Sequence, residues 1–393
     1  MSNNNDFKPQ IRFKEFTNAW VHQTIDKLAN VKTGSSNTDD ANVNGLFPFF
    51  VRSEEIKKSN KFIFDTEAVI TIGDGKIGSV FHYINGKFDL HQRCYAIFNF
   101  KSINPKYFYW YFSSNFLMRA LSQSAKNTVD SVRIEMITKM IINFPEDELE
   151  QDKISIFLDK IDSSIALLQR KLEKMKNIKE ILLNKMFVSG QAQFPEIRFK
   201  EFTNPWVHQT IEELYYLARE GGTPTTSNPN YYLNGNIPFV KIEDTKNKYI
   251  KSVETYITLK GLNNSSAWLI PKDNIILTNG ATIGNVSINK IPVTTKQGII
   301  GMVLKKQFSP EFIYYLLKSS KIWSKIMSVS SIGTFRYVLL KDINKIYIFL
   351  PEYKERENIS KFLNNLDSSI ALLQRKIEKL ENIKSTLLNK MFV

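Results

Sequence analysis

Residues 9–25 of this chain read PQIRFKEFTNAWVHQTI, and residues 195–211 read PEIRFKEFTNPWVHQTI. The two stretches differ at only two positions, which is far beyond chance similarity. A second repeat follows further along, where DSSIALLQRK at residues 162–171 reappears unchanged at residues 367–376. Because internal repeats dictate architecture, the sequence predicts two copies of one structural plan.

The segments between the repeated blocks have diverged. Residues 26–150 and 212–352 resemble each other only in outline, while both copies of the flanking block end in LLNKMFV. The repeated flanking blocks are nearly identical, whereas the domains between them have diverged. This pattern indicates one scaffold that presents two recognition units, each of which can change separately.

A long helix is predicted in each repeated block, from about residue 151 to 187 in the first copy. Apolar residues recur in steps of four and three, which is the pattern of a coiled-coil seam. The predicted seam residues are Ile154, Leu158, Ile161, Ile165, Leu168, Leu172 and Met175, and in the second copy Ile359, Leu363, Leu366, Ile370, Leu373, Ile377 and Leu380. Both copies then take one extra step of three, to Ile178 and Ile383, which predicts a local change of phase. A helix of this length spans roughly 55 Å, so the two copies are expected to pair with each other, antiparallel.

The variable segments read as strands and loops with short helices. The predicted strands are Phe62–Phe64, Ala68–Ile72, Val80–Tyr83, Asn274–Thr278, Asn285–Ile288 and Ile299–Leu304, and the predicted helical stretches are Pro105–Phe112, Phe116–Leu121 and Pro310–Lys318. The expected fold class is mixed α/β (α+β), with two pseudo-symmetric domains separated by an antiparallel coiled coil.

Composition limits the functional classes. The chain has 393 residues, more than one ordinary core serves, and 42% hydrophobic residues, which excludes global disorder. Lys and Arg number 53 against 39 Asp and Glu, giving a net charge of +14. This balance favours an anionic partner, and nucleic acid is a better expectation than a membrane surface.

A reducing cytoplasmic setting is expected because the single cysteine, Cys94, cannot form an intramolecular disulfide. The first residues carry no signal-peptide pattern, and no apolar run is long enough to span a membrane. The four histidines form no recognisable metal set, so no metal site is expected.

Two motif matches are interpreted as turns, and a third motif is absent. Gly73–Gly78 fits GxGxxG, but a strand-like stretch follows it instead of a helix, so a hairpin is expected rather than a dinucleotide site. Asn228–Tyr231 lacks the second proline of the adenine-methyltransferase motif and is interpreted as a turn. No Walker motif is present, so ATP hydrolysis by this chain is not supported.

Basic, amide and hydroxyl side chains on predicted loops are the candidates for DNA contacts. The loop at residues 221–226 can offer hydroxyls and backbone donors to phosphates, and Lys241, Lys246, Lys248 and Lys251 follow it. Base reading calls for bidentate or amide side chains near strand ends. The candidate DNA-binding residues are Lys76, Gln92, Arg93, Arg133, Thr223, Thr225, Lys241, Lys296, Gln297, Arg336 and Tyr337.

The repeated blocks resemble those of the specificity subunit of a type I restriction-modification system. The resemblance covers nearly the whole chain and is most specific where Phe144-Pro145 leads to Glu150-Gln151, and where Leu350-Pro351 leads to Glu355. IDSSI at residues 161–165 and LDSSI at residues 366–370 complete it. The family usually has Glu-Gln before the helix, whereas the second copy here has Glu355-Arg356.

The resemblance implies a non-catalytic chain whose two target-recognition domains each bind one half of a bipartite DNA site. It implies target-recognition domain 1 at residues 1–150, helix 1 at 151–188, a linker with target-recognition domain 2 at 189–352, and helix 2 at 353–393. It also implies that two adenine methyltransferase subunits dock on the helices, that restriction and translocase subunits join them, and that S-adenosylmethionine, ATP and Mg are bound by those partners, with no cofactor in this chain. The candidate partner-binding residues are Gln169, Arg170, Lys171, Gln374, Arg375 and Lys376.

Two alternatives remain open from the sequence. A stand-alone repressor would read the same kind of bipartite site without enzymatic partners and would need no docking surface. An autonomous nuclease or methyltransferase is disfavoured because the chain lacks the corresponding catalytic motifs.

Overall fold

The computed structural model describes residues 8–123, 131–188, 192–280, 282–331 and 336–392. By its internal contacts the chain divides into two compact units. Unit 1 consists of Met1–Arg170 and Arg375–Val393, and unit 2 consists of Lys171–Gln374. The division falls within both long helices, so each unit contains one recognition domain and a part of each helix. None of the helices in the described residues combines the length and apolarity that crossing a membrane requires.

Unit 1 is built on a mainly antiparallel sheet with the order β2-β7-β5-β6-β3-β4 and a separate pair β1-β8. Its strands are β1 (Val21–Thr24), β2 (Asn30–Thr33), β3 (Phe47–Phe50), β4 (Ile56–Ser59), β5 (Phe64–Ile72), β6 (Phe81–Leu90), β7 (Cys94–Phe98) and β8 (Ile141–Phe144). Its helices are α1 (Ile25–Leu28), α2 (Pro105–Ser122), α3 (Ile134–Thr138) and the first part of α4 (Glu148–Lys185).

Both faces of β5 are buried, which explains its continuous apolar run. Val69 packs in the cluster that contains the aromatic residues of α2, whereas Ala68 and Ile70 pack in the cluster of the opposite face. Successive side chains of a strand point to opposite faces, so one strand can serve two cores. Helix α2 begins at Pro105 with the Asn104 side chain accepting hydrogen bonds from two backbone N–H groups.

Unit 2 repeats this plan with shorter strands, in sheets of order β10-β17-β14-β15-β12, β13-β11-β16 and β18-β9. Its strands are β9 (Val207–Thr210), β10 (Tyr215–Glu220), β11 (Ile237–Val240), β12 (Tyr249–Ile250), β13 (Tyr256–Ile257), β14 (Asn274–Thr278), β15 (Val286–Asn289), β16 (Thr294–Thr295), β17 (Ile299–Leu304) and β18 (Tyr347–Leu350). Its helices are α5 (Leu259–Asn263), α6 (Pro310–Lys318), α7 (Ser320–Ser328), α8 (Leu340–Asn344) and the first part of α9 (Tyr353–Met391).

The two long helices follow the predicted seam. All seven seam positions of each helix are buried or half-buried. Ile178 and Ile383, the positions of the extra step, are each 40% exposed. These two residues are therefore more exposed than the seam positions, at the place where the spacing predicts a local change of phase.

The helices run antiparallel within each unit. In unit 1, Asp162 of α4 accepts a hydrogen bond from Lys384 of α9, and Gln169 donates to Glu381 at 3.1 Å, so later residues of α4 meet earlier residues of α9. In unit 2, Lys179 of α4 forms an ion pair of 2.6 Å with Asp367 of α9. The two ion pairs join equivalent positions of the repeat in reciprocal order.

The end of each repeat packs into the core of the unit that contains the other recognition domain. Met186–Val188 lie in the apolar cluster of unit 2 with Trp206 and Phe312. Met391 and Phe392 lie in the corresponding cluster of unit 1. The repeated Met-Phe pair near the end of each copy is thus a core element in both units.

The repeated stretch at residues 9–25 is anchored to the start of α4 by a buried carboxylate. Arg12 donates to both oxygens of Glu150 at 2.7 Å, and the Trp20 indole donates to the same carboxylate at 3.4 Å. The Glu150 side chain is 1% exposed. A bidentate guanidinium supplies the hydrogen bonds that a buried carboxylate requires.

Unit 2 repeats this anchor almost atom for atom. Arg198 donates to both oxygens of Glu355 at 2.8 Å, and the Trp206 indole donates at 3.3 Å. The hydrogen bonds to Glu355 raise the pKa of the Arg198 guanidinium further above its usual value. The repeated residues therefore fix the start of both long helices in the same way.

The residue after this glutamate differs between the copies. Gln151 is buried, accepts from the Asn104 backbone N–H at 2.6 Å and donates to the Pro145 carbonyl at 2.8 Å. Arg356 instead lies 4.8 Å from the Phe308 ring centre. The second helix therefore begins without the amide contacts that tie Gln151 to the recognition domain.

The two recognition domains contact equivalent helix positions with similar chemistry. In unit 1, Lys106 and the Trp110 indole, both on α2, donate to Asp159 of α4. The Trp110 bond measures 3.0 Å. In unit 2, Lys248 donates to Asn364 of α9, which occupies the equivalent repeat position. The Tyr315 hydroxyl oxygen lies 2.9 Å from the same amide oxygen.

In unit 2 this contact extends to the ion pair between the helices. The Tyr315 hydroxyl donates to Asp367 at 2.6 Å, and the Lys248 ammonium lies 3.2 Å from the same carboxylate. The Lys248 ammonium also lies 4.1 Å from the Tyr315 ring centre. The expectation that Lys248 serves DNA phosphates from a loop is therefore wrong, because its ammonium group is held in this contact.

Most predicted elements of the variable segments match the structure. The strands at residues 274–278 and 299–304 and the helix at residues 310–318 have the predicted bounds. The strand expected at Phe62 begins only at Phe64, and the two helical stretches of the first domain form one helix, α2. The connection between β5 and β6 joins antiparallel strands, so no helix follows Gly78.

Candidate nucleic-acid interface

The predicted DNA-contacting residues gather on a set of loops in each unit. In unit 1 the loop cluster consists of residues 73–80, 91–93 and 131–133. The Gly73 N–H donates to the Arg93 carbonyl at 2.7 Å, and the Val132 N–H donates to the Gly73 carbonyl at 2.7 Å. Three segments distant in sequence are therefore held together by backbone hydrogen bonds.

The loop cluster of unit 2 has the same backbone connections. It consists of residues 221–226, 240–241, 279–280, 282–284, 296–298 and 336–338. The Asn279 N–H donates to the Gly298 carbonyl at 3.0 Å, and the Val338 N–H donates to the Asn279 carbonyl at 2.9 Å. The variable domains thus share the loop framework although their side chains differ.

The loop cluster of unit 1 presents a guanidinium and an amide. Arg93 and Gln92 border a cleft of about 370 Å³ together with Gly73, Tyr95, Ser131 and Val132. The Tyr95 hydroxyl donates to the Val132 carbonyl at 2.8 Å, which fixes one wall of this cleft. The Gln92 amide donates to the Asn37 side chain, which leaves its carbonyl oxygen available.

Arg93 belongs to a charged group that the sequence alone does not reveal. Its guanidinium lies 3.5 Å from the carboxylate of Asp74, and Arg52 donates to the same carboxylate oxygen at 3.1 Å. Arg93 also donates its backbone N–H to His91 Nδ1 at 3.1 Å. Burial and the nearby Arg52 lower the pKa of His91, which favours the neutral imidazole.

The loop cluster of unit 2 presents two ammonium groups and hydroxyls. Lys241, Lys296 and Thr223 border a cleft of about 390 Å³. The other lining residues are Thr226, Tyr232, Phe239 and Thr255. Gln297 is exposed next to this cleft, and its backbone N–H donates to the Thr223 hydroxyl at 3.4 Å.

The remaining predicted DNA-binding residues are exposed on the same segments or next to them. Lys76 lies between β5 and β6, Arg133 precedes α3, and Thr225 follows the buried glycines at 221 and 222. Arg336 and Tyr337 are exposed, and the Tyr337 N–H donates to the Ser331 hydroxyl at 3.1 Å. The structure therefore brings Thr223, Lys241 and Lys296 into one cleft, and Gln92 with Arg93 into another, while the DNA contacts themselves stay a prediction.

Arg52, Asp74 and His91 are the residues that sequence reasoning missed. Asp74 lies within the GxGxxG match, but that pattern by itself indicates only a turn. The group forms because the loop after β5 is bonded to the turn before β7. No spacing in the sequence indicates that pairing.

The predicted partner-binding residues lie on the helices. Gln169, Arg170, Lys171, Gln374, Arg375 and Lys376 are all exposed. Arg375 borders a groove of about 440 Å³ in unit 1 that runs along α9 to Leu387. Their role in docking stays a prediction. Within the described residues, no group of three or more His, Cys, Asp or Glu side chains is placed to hold a metal ion.

Comparison with known proteins gives the family. The sequence model described as the type I restriction modification DNA specificity domain matches twice, at residues 18–177 and 203–382. Similar curated proteins include the type I restriction enzyme MjaIX specificity subunit of Methanocaldococcus jannaschii, 29% identical over 206 residues, covering 52% of this chain and 47% of that protein. The EcoDI specificity subunit of Escherichia coli is 27% identical over 204 residues, covering 51% of this chain and 43% of that protein. The matched region thus spans about half the length of these curated relatives.

Solved structures show the same fold. The S subunit of the type I restriction-modification system from M. genitalium matches with a TM-score of 0.65 at 18% identity, covering 98% of this chain and 99% of that one. A chain from a structure of type I restriction-modification complex assembly matches with a TM-score of 0.56 at 13% identity, covering 95% and 97% of the two chains. The two family matches, together with the duplicated domains and paired helices, place this chain in the family of type I restriction-modification specificity subunits.

Proposed function

We propose that this chain selects the DNA sequence on which a type I restriction-modification complex acts. In this proposal each recognition domain reads one half of a bipartite site, and the paired helices set the gap between the halves. The observation that carries the proposal is the duplication itself. Two loop clusters with equivalent backbone bonds present different side chains, while the helices that follow them are nearly identical.

Charge and geometry support DNA as the ligand. The net charge of +14 favours a polyanion. The loop clusters present Arg93 with Gln92 in one unit and Lys241 with Lys296 in the other, and these side chains suit phosphates or base edges. Two different sets of donors match the reading of two different half-sites.

The chemistry is assigned to partner subunits. In this proposal two adenine methyltransferase subunits and the restriction and translocase subunits bind S-adenosylmethionine, ATP and Mg, in the cytoplasm. The exposed residues 169–171 and 374–376 offer each partner the same short sequence on each helix. One surface presented twice suits two identical partners.

The function is tested by co-expressing this chain with its candidate methyltransferase subunit in a methylation-free host. Single-molecule sequencing then maps 6-methyladenine across the genome. A split motif with a fixed nonspecific gap is the expected result. A soluble complex that methylates nothing, together with nanomolar specific binding by the chain alone, would instead support a stand-alone repressor.

The docking surface has a separate test. Arg170→Glu and Arg375→Glu reverse the charge at equivalent positions of the two helices. The double variant is expected to lose co-purification of the methyltransferase while still binding DNA. Unchanged co-purification would remove these residues from the docking surface, and Lys76→Glu, on a recognition loop, is the matched control.

A further inference from the structure

Two arginines of unit 1 share one carboxylate at the border of the unit 1 cleft. The Asp74 side chain is 16% exposed, whereas those of Arg52 and Arg93 are 49% and 61% exposed. The backbone of Asp74 is held in place, because it forms a β-bridge with Ser131 beside the loop bond from Val132 to Gly73. The carboxylate is the more buried member of this group, and the two guanidinium groups are its exposed part.

Phosphate binding does not account for this arrangement. A carboxylate beside the guanidinium groups repels a phosphate and offsets part of their positive charge. The ion pair with the same carboxylate, at 3.5 Å, limits the orientations of the Arg93 guanidinium, and its planar fork suits a ligand with two acceptors in a plane. Because Asp74 offsets part of its charge, Arg93 suits a neutral, flat group with two acceptors better than it suits a phosphate.

Guanine is the DNA base with this pattern. Its major-groove edge presents O6 and N7, both acceptors, whereas adenine presents one acceptor and one donor. Arginine carries only donors, so only guanine satisfies two of its N–H groups on one base.

We propose that Arg93 reads a guanine through its O6 and N7 in the half-site bound by the first recognition domain, and that Asp74 is the positioning residue for its guanidinium. This inference rests on the proposed function and adds the base and the residues that recognise it. Because neither residue has a counterpart in the repeat, the inference concerns one half-site only: the position equivalent to Arg93 by backbone bonding is Gly298.

The test measures binding of the full chain, in complex with its methyltransferase partner, to DNA that carries its mapped target. Each guanine of the target is replaced in turn by 7-deazaguanine, which lacks the N7 acceptor. At one guanine, in one half-site, the replacement is expected to weaken wild-type binding about tenfold, because each bidentate contact discriminates by this order. The Arg93→Ala complex is expected to bind both DNAs equally.

Three further variants separate base reading from charge and from folding. Arg93→Lys keeps the charge but not the fork, so the salt dependence of binding stays and the effect of 7-deazaguanine falls. Asp74→Asn keeps the shape of the side chain and is expected to reduce the same effect, which a merely structural role would not do. Lys76→Ala, on the same loop, should weaken binding to both DNAs alike.

The outcomes distinguish this inference from the proposed function. Specific binding to a bipartite target in which no guanine replacement affects the wild type and Arg93→Ala differently would overturn the inference and leave the proposed function standing. If 7-deazaguanine weakens binding by Asp74→Asn as much as it weakens binding by the wild type, the positioning role of Asp74 is overturned. A complex without any sequence-specific DNA binding would overturn both the function and the inference.

Discussion

At the scale of single residues, the repeated Arg, Trp and Glu show how a buried charge is accommodated. Glu150 and Glu355 are each about 1% exposed and each accepts three hydrogen bonds from the same two residue types. Removing one partner from such a group leaves the other charge buried without compensation. Substitutions that remove the charge but keep the size of the side chain are therefore expected to destabilise this anchor.

Glu355→Gln is expected to lower the free energy of unfolding by about 3 to 5 kcal/mol, because the Arg198 guanidinium loses its buried counter-charge. Urea unfolding of the purified chain measures the loss. Glu173→Gln, at an exposed position of α4, is the matched control and should change stability by less than about 0.5 kcal/mol. Equal effects of the two variants would show that the buried pair contributes nothing.

At the scale of elements, each long helix is both a seam and a contact surface for a recognition domain. The seam follows from spacing alone, but the contacts at Asp159 and Asn364 depend on which domain is attached. A Lys and an aromatic side chain make both contacts, although the two Lys residues come from different parts of their domains. The equivalent helix positions therefore accept two recognition domains whose side chains have diverged.

The seam predicts unequal effects of equal substitutions on α9. Ile370→Ala is expected to cost about 2 to 4 kcal/mol, because Ile370 is 9% exposed. Ile383→Ala should cost less than about 1 kcal/mol, since this residue is 40% exposed at the change of phase. Thermal unfolding of the two variants measures the difference, and a larger effect at Ile383 would contradict the assigned phase.

The ion pairs between the helices make a prediction that depends on pH. Burial opposes ionisation of Asp367, but hydrogen bonds from Lys179 and Tyr315 outweigh it and lower the pKa of the carboxyl below 3.8. A carboxyl with a lowered pKa stabilises the folded state above its unfolded pKa, and this contribution disappears as the pH falls through the folded pKa. Asp367→Asn should therefore be less stable than the wild type at pH 7, by about 1 to 3 kcal/mol.

The difference between Asp367→Asn and the wild type should shrink as the pH falls below 3.8. Urea unfolding from pH 7 to pH 3 measures it. Asp162→Asn changes the equivalent position in unit 1, where the side chain is 51% exposed against 22% for Asp367, and should have the smaller effect. A difference that is constant with pH would rule out the charge of Asp367 as its cause.

At the scale of the whole molecule, excess positive charge and duplication together define the proposed activity. Phosphate neutralisation makes DNA binding depend on salt, with a slope of about 0.9 for each phosphate contact. Base contacts contribute the choice of sequence. The two recognition domains should therefore be separable by substitution.

Lys241→Ala with Lys296→Ala is expected to alter binding through the second domain alone. If both ammonium groups contact phosphates, the salt slope falls by about two and the methylated motif stays the same. If they read bases, the motif becomes degenerate in one half and keeps the other half and the gap. Lys345→Ala, at an exposed position beside β18, is the control. A motif degraded in both halves would contradict independent reading by the two domains.

Local chemistry explains why much of the fold is predictable. The seam, the helix at residues 310–318 and the apolar strands at residues 274–278 and 299–304 each depend on nearby residues, and all are found in the structure. The predicted strand begins at Phe62, whereas β5 begins at Phe64. Phe62 and Ile63 are apolar, but they lie outside the β-ladder and are each more than one third exposed. The candidate loop residues can be chosen from the sequence by residue type, but the sequence does not show which side chains lie next to them.

The sequence by itself determined that this protein is duplicated, that each copy ends in a long antiparallel seam, and that its family is recognisable, because repeats and spacing are properties of the linear chain. Only the tertiary structure decided which charges meet. Arg93 forms an ion pair with Asp74, and Lys248 forms one with Asp367 of α9, because the fold brings together segments that are distant in sequence. An ion pair depends on distances of a few ångströms, and those distances are set by packing rather than by residue type.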